Sequence, residues 1–317
     1  MTDDEQAAVL VDGVRHVYGD RVALDGVSFS VRRGELFGLL GPNGGGKSTL
    51  FRILATLQRP SAGTARLLGF DVVGEAARVR ACLGVVFQNA SVDAHLTVAE
   101  NLRHHGALFG LRGTDLAARM HRLLTRFGLE ARRHDLVGRL SGGLARRVEL
   151  AKGLLPAPAV LLLDEPSAGL DPAARRDLLE QLVSLRDDDG TTIVLTTHHM
   201  EEAERCDRLA LLDQGRLLAI DRPDRLKARV GGDVVTIRSA NLDALDAGLR
   251  DAFGVEPTRV DGTLRLEHER GHEFLRAVVD RFPEAVQSIT FGKPTLEDAF
   301  IRLTGHGLFE GPPESAR

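Results

Sequence analysis

The sequence predicts an α/β protein built on a parallel sheet, with a smaller α+β unit after it, and three observations carry that reading. A glycine-rich loop, Gly41-Pro42-Asn43-Gly44-Gly45-Gly46-Lys47-Ser48-Thr49, stands between an apolar run at 35–40 and a helical pattern at 50–57. Short apolar runs at 160–163 and 192–196 have the unbroken character of strands buried on both faces of a parallel sheet, and a helical pattern precedes each. Past Gly231-Gly232 the pattern changes to strand, helix, strand, strand, helix, strand.

Taken in order, residues 9–11 and 27–31 read as short alternating strands on either side of the turn at Tyr18-Gly-Asp-Arg21. The strand, glycine loop and helix at 35–57 follow. Between 97 and 127 apolar residues recur at helical steps, Val98, Leu102, Leu108 and Leu111, then Leu116, Met120, Leu123, Leu124 and Phe127, within a helical insertion spanning about 95–155. The first domain is expected to cover 1–222, with a linker helix at 223–231 and a C-terminal α+β domain at 232–305. That domain has the βαββαβ order of a ferredoxin-like fold, with Asp261-Gly262 as its hairpin turn. A last helix at 295–303 opens with the capping pair Thr295 and Asp298, and its Leu296, Phe300 and Leu303 are expected to pack within the chain. Residues 306–317 read as a tail, frayed at 311–317.

Composition narrows the function. The 317 residues, 43% hydrophobic, can fill two cores. A formal net charge of -4 lacks the basic excess of a nucleic-acid binder, so no nucleic acid is expected as partner. No apolar segment approaches the ~18 residues that cross a bilayer, and the acidic start Met1–Glu5 is unlike a signal peptide. Cys82 and Cys206 stand far apart, so buried, reduced thiols are expected rather than a disulfide or zinc site.

The glycine loop has the chemistry of a P-loop for a nucleoside triphosphate. Its backbone N–H groups can turn inward around phosphates, the helix start adds a positive dipole end, and Lys47 adds an ammonium. The chain has four lysines, Lys47, Lys152, Lys227 and Lys293, among 41 Lys and Arg, yet it uses one here. Ser48 is placed to ligate Mg²⁺. Asp164 and Glu165 end a buried strand, where ligands of open α/β sheets sit. Asp164 is then the carboxylate on the Mg²⁺ side, and Glu165 can take a proton from an attacking water. A second glycine turn, Ser141-Gly142-Gly143-Leu144, opens a helical run and forms another anion site without a lysine. His104, His105 and His121 lie apart from any ligand cluster and read as surface residues.

The P-loop, then the Ser141-Gly142-Gly143 turn, then Asp164-Glu165, is an order that resembles the ATP-binding cassette (ABC) family over roughly residues 9–220. The resemblance implies ATP and Mg²⁺ as cofactors and further roles. Tyr18 resembles the aromatic that stacks on adenine, and Gln88 the glutamine that touches Mg²⁺ and relays to a transporter partner. Asp171 looks like the D-loop aspartate and His198 like the histidine that contacts the γ-phosphate. His199 is expected to face another way, as a solvated neighbour. Leu144 departs from the glutamine usual after Ser-Gly-Gly, but leaves Ser141 and the backbone amides in place.

In this family the Ser-Gly-Gly signature of one subunit closes over the ATP of another, so a second cassette subunit is implied, a homodimer or a paralogue. Residues 196–204, Asp171-Pro172 and 295–304 look like ATPases of daunorubicin-resistance exporters, which act with a separate integral membrane permease. That implies a peripheral protein on the cytoplasmic face of the cell membrane, powering multidrug efflux. Sodium, lipid and polysaccharide exporters share similar text. A soluble ABC ATPase would show paired cassettes or a long coiled coil, and a module without turnover would lack Glu165 or His198.

Overall fold

The computed structural model describes residues 7–308, so Met1–Glu5 and, of the tail expected at 306–317, all but its first three residues lie outside the described residues; His306, Gly307 and Leu308 are buried and so belong to the fold. The chain divides into two compact units, one running to Ala219 and one starting at Ile220. In the first, β1 (Ala7–Tyr18) and β2 (Arg21–Arg32) form an antiparallel hairpin. Both strands are longer than their sequence pattern suggests. Register shifts between Val11 and Val14 and between Val14 and His16 interrupt the period of two that marks a strand in sequence. After β3 (Leu36–Leu40) and α1 (Lys47–Leu54), β4 (Ala62–Leu67) and β5 (Phe70–Asp71) complete an antiparallel sheet in the order β2-β1-β4-β5.

The central sheet takes β3 together with β6 (Leu83–Val86), β7 (Val160–Asp164), β8 (Thr192–Thr197), β9 (Arg208–Asp213) and β10 (Arg216–Asp221), in the order β10-β9-β3-β8-β7-β6. Every residue of β3, β7 and β8 is buried, which is why these strands read as continuous apolar runs. β3 pairs in parallel with β8 and β9, β8 with β7, and β7 with β6. The carboxyl ends of β3, β8, β7 and β6 therefore lie side by side.

Around this sheet lie α2 (Ala76–Ala81), α6 (Pro172–Asp189) and α7 (Met200–Ala203), with α3 (Val98–Leu108), α4 (Gly113–Arg126) and α5 (Gly142–Leu154) forming the helical insertion. Thr97 and Glu100 close a capping box on α3. His104 and His121 are exposed, as expected. His105 is not: it is half-buried, with its ring 5.0 Å from that of Phe109. Burial, with the charge of Lys152, pulls its pKa down to about 4. Cys206 is buried, whereas Cys82 at the end of α2 is only partly covered.

The C-terminal unit holds α8 (Pro223–Ala228), β11 (Asp233–Arg238), α9 (Leu242–Phe253), β12 (Thr258–Val260), β13 (Thr263–His268), α10 (Gly271–Arg281), β14 (Ser288–Gly292) and α11 (Leu296–Thr304). Its strands are antiparallel throughout, in the order β12-β13-β11-β14, over a core that includes Val235, Leu249, Leu264, Phe274 and Val278. The helix expected as a linker packs instead on α11, with Leu226 fully buried, and the division falls before it. Thr295 and Asp298 cap α11 reciprocally. Its buried arc runs through Leu296, Ala299, Phe300 and Ile301, while Leu303 is 41% exposed and lies outside it.

Two outcomes follow from these packing facts. Phe300→Ala should cost about 3–5 kcal/mol of stability in the C-terminal unit, by calorimetry of the full chain, because a fully buried ring is deleted. A loss below about 1 kcal/mol would contradict its place in the core. His105 has a folded pKa below its unfolded value, so the unfolded state binds more protons between pH 6.5 and about 4. Stability should fall as pH drops through that window. His105→Gln should flatten this part of the pH–stability curve, and an unchanged curve would exclude the effect.

Candidate functional site

The loop after β3 is shaped by contacts only glycine allows. A Cβ on Gly41 would lie 2.0 Å from the Leu212 carbonyl oxygen, and Gly46, which precedes α1, has φ 105°. Lys47 opens α1 and is buried, its Nζ donating to the carbonyls of Gly41 at 2.7 Å and Pro42 at 3.0 Å. Burial lowers its pKa against the pull of Glu165 and Asp164. Pro42, Gly45 and Thr49 are buried beneath the loop, whereas Asn43, Gly44 and Ser48 are exposed along it.

Asp164 ends β7 with its Oδ1 accepting from Thr196 Oγ1 at 2.6 Å. Burial raises its pKa, the Thr196 bond opposes that shift, and the neighbouring Glu165 adds to it. Glu165 takes φ 44°, a strained value for a side-chain-bearing residue, and its N–H is held by Thr196 Oγ1 at 2.9 Å. Three groups meet its carboxylate. Gln88 Nε2 donates to Oε2 at 3.1 Å, His198 Nδ1 lies 3.2 Å from Oε1, and Lys47 Nζ lies 3.9 Å from Oε1. Asn43, Ser48, Gln88, Glu165, Asp171 and His198 line one cleft of about 920 Å³. That is within the ~300–1,000 Å³ common for ligand sites.

His199 shares this cleft instead of facing away. Its ring stands 4.1 Å from that of His198, and burial, followed by the His198 and Arg175 charges, lowers its pKa. Strand alternation does not separate the two rings, because β8 has ended at Thr197 and His199 already caps α7. Tyr18, at the end of β1, lines an adjoining hollow with Gly44, Lys47, Ser48, Thr49 and Glu165.

The second glycine turn lies elsewhere. Ser141 caps α5, accepting from Leu144 N at 3.4 Å, and it lines a separate groove with Gly143, Leu170, Asp171 and Asp177. Gly142 is exposed beside it. Asp171 borders both spaces, its carboxylate capping α6 through Ala173 N and Ala174 N at 3.0 Å each.

Arg146 has a structural role that the sequence reading did not assign. It is buried and donates to Pro166 O and Phe87 O at 2.7 Å, to Asp164 O at 3.4 Å and to Glu149 Oε2 at 2.7 Å. One guanidinium thus joins α5 to the loops after β6 and β7. The available signal is helical spacing, since Arg146, Glu149, Leu150 and Gly153 fall on one face. A second buried contact, Ser167 to Glu202, ties the loop after Glu165 to α7, and burial raises the Glu202 pKa.

Among the described residues no group of three or more His, Cys, Asp or Glu could hold a metal ion. Among the oxygen donors in and beside the cleft are the Ser48 hydroxyl, the Gln88 amide and, at the end of β7, the Asp164 carboxylate. Few and hard, they suit a Mg²⁺ that keeps waters and takes other ligands from phosphates.

Comparison with known proteins gives a family match at this site. A model of the family described as ABC transporter matches residues 24–168, and an AAA domain model matches 146–204. The chain is 40% identical to the daunorubicin resistance ATP-binding protein DrrA3 of Streptomyces coeruleorubidus, over 94% of this chain and 96% of that protein. It is 42% identical to a Nod factor export ATP-binding protein I of Ralstonia nicotianae, over 94% of each. Among solved structures, cbiO1 of Clostridium perfringens, part of an ABC transporter complex, is similar at TM-score 0.66 and 26% identity, covering 78% of this chain and 96% of that one. A dimeric ATP-binding cassette in a post-hydrolysis state with ADP and Pi is similar at TM-score 0.61 and 27% identity, covering 68% and 98%.

Arg146→Met should leave the buried Glu149 carboxylate without its guanidinium partner, with only the Ser91 N–H still donating to it, at a cost of about 3–5 kcal/mol. Arg146→Met/Glu149→Leu should recover much of that stability, because no charge is then stranded. Nucleotide turnover should stay low in both, since the carbonyls of Phe87, Asp164 and Pro166 lose their common donor. Thermal melts and turnover assays on the two variants check this, and wild-type turnover in the double variant would refute it.

Proposed function

The chain belongs to the ABC transporter family of ATP-binding subunits, and on that premise we propose that it is the ATP-hydrolysing subunit of an exporter, driving a drug-like or other hydrophobic compound through a separate membrane permease. The observation that carries this reading is the convergence of Lys47, Gln88 and His198 on the Glu165 carboxylate inside the P-loop cleft.

In the proposed mechanism ATP lies along the 41–49 loop, with its phosphates against the backbone N–H groups and the Lys47 ammonium, and with adenine stacked on Tyr18. When bound, Mg²⁺ held through Ser48, Asp164 and Gln88 neutralises charge on the phosphates. Glu165 accepts a proton from the water whose oxygen bonds to the γ-phosphorus, and the bond from that phosphorus to the β-γ bridging oxygen breaks to give ADP and phosphate. Gln88 and His198 hold the carboxylate at the correct angle for that transfer. His198 also reaches the γ-phosphate.

A second cassette subunit, most simply another copy, supplies the remaining contact. Ser141 and Gly143 line a groove outside the cleft, with Gly142 exposed beside them, so in a head-to-tail pair all three would face the partner's ATP, with Asp171 at the border. Release of the γ-phosphate would then loosen the pair. None of the described helices is long and apolar enough to cross a membrane, which fits a peripheral subunit docked on a permease at the cytoplasmic face. The C-terminal unit, with its βαββαβ order and strand order β12-β13-β11-β14, is read as a ferredoxin-like accessory domain. The relatives divide between daunorubicin resistance and Nod factor export. One kind of ATPase thus serves different cargoes, as it must if the permease forms the pathway.

Glu165→Gln should bind MgATP yet hydrolyse it roughly 10²- to 10⁴-fold more slowly, because the amide takes up no proton. Size-exclusion chromatography with MgATP should show a dimer that persists. Hydrolysis at the wild-type rate would remove Glu165 from the mechanism.

A further inference from the structure

We infer that Gln58 and His16 are positioning residues for ATP affinity, holding the Tyr18 ring in the orientation that receives the base. The inference rests on the reading of Tyr18 as the adenine platform. Tyr18 is the last residue of β1 and is 43% exposed. An exposed ring at a strand end can turn about both of its side-chain torsions unless something holds its far end.

Gln58 does so. The Tyr18 hydroxyl donates to Gln58 Oε1 at 2.7 Å. With that oxygen engaged, the Gln58 amide nitrogen is the end that meets His16 Nε2. His16 stands two residues before Tyr18 on the same face of β1 and is 8% exposed. Its ring meets that of Tyr18 edge to face, with centroids 4.6 Å apart and planes at 73°. The tyrosine is therefore held at its hydroxyl by Gln58 and along its ring by His16.

The segment carrying Gln58 is itself fixed to β1. The chain leaves α1 through Thr56 at φ 61°, and three residues past Gln58 the Ser61 N–H donates to Arg15 O at 2.8 Å. Ser61 Oγ accepts from Val17 N at 3.2 Å. These bonds bracket His16 on the strand. The clamp is thus assembled by backbone pairing before a base arrives, and stacking on a ring already held costs less ordering entropy than stacking on a free one.

The test measures steady-state ATPase on the full chain, with the melting temperature of each variant as a control for folding. Gln58→Ala should raise KM for ATP about 3- to 10-fold with kcat unchanged, the loss expected when one side chain must be immobilised on binding. Tyr18→Phe should give a similar rise, and the double variant should add little, since both remove one bond. Gln58→Glu should restore a low KM, its carboxylate accepting from the Tyr18 hydroxyl and from a His16 Nε2–H. If Tyr18→Ala raises KM while Tyr18→Phe and Gln58→Ala do not, the clamp is wrong and the platform reading stands. If Tyr18→Ala leaves KM unchanged, the platform reading itself fails. A fall in kcat in Gln58→Ala would also overturn the inference, because it would mean that Gln58 acts through the P-loop helix.

Discussion

Parallel pairing of β3 with β8, and of β8 with β7, is the constraint on which the site depends. In a parallel ladder neighbouring strands point the same way, so whatever follows each strand emerges at one edge of the sheet. Here that edge receives the glycine loop after Leu40, His198 after Thr197, and Glu165 after Asp164. β6 adds Gln88 from the flank. Residues far apart in the chain thereby come within 3.9 Å of one carboxylate. The register also allows Thr196 on β8 to bond both the Asp164 carboxylate and the Glu165 N–H, which holds Glu165 at an unfavourable φ.

The same edge gathers charge at a cost to stability. Lys47 and Asp164 are each buried far enough that burial shifts their pKa toward the neutral form; the Glu165 and Asp164 charges oppose this at Lys47, and the Thr196 bond and the Lys47 charge oppose it at Asp164. Such strain is held in place by the surroundings. Arg146 is the main brace, because its guanidinium satisfies carbonyls from two loops while it pairs with Glu149. It also lies on α5, the helix whose first turn is capped by Ser141. A displacement of the loop bearing Gln88 would therefore be felt at the Ser141 turn through one rigid helix, a physical route between the P-loop cleft and the neighbouring groove.

On the proposed reading, the separation of the two grooves is the reason a second subunit is needed. The P-loop cleft and its adjoining hollow bring Glu165 and Lys47 together with the glycine loop, but Ser141 lies in a different groove. Asp171 and Leu170 border both, so the D-loop is the segment best placed to report on one site to the other. Ser167 and Glu202 strengthen this arrangement by fixing the start of that loop to the helix that follows His198 and His199.

Much of the chemistry was legible in the sequence because it is local. A phosphate loop needs glycines, a lysine and a helix start within nine residues, and a buried strand ending in two acids announces itself by its apolar run, so Gly41–Thr49, Asp164 and Glu165 could be named from spacing alone. His198, Gln88 and Tyr18 came from resemblance, since no local rule distinguishes them, and Ser141, legible locally as part of an anion-binding turn, takes its signature role from the same resemblance. Where alternation is broken by bulges, as in β1, even strand length was underread. The sequence by itself determined the parallel core, the order βαββαβ past Gly231 and the identity of the phosphate loop, because backbone periodicity and loop chemistry are set by near neighbours. Only the tertiary structure decided that Arg146 braces two loops, that Gln58 holds Tyr18, that His199 enters the cleft and that Leu303 stays outside the core. Those facts depend on which distant segments pack together, and neither residue type nor spacing records that.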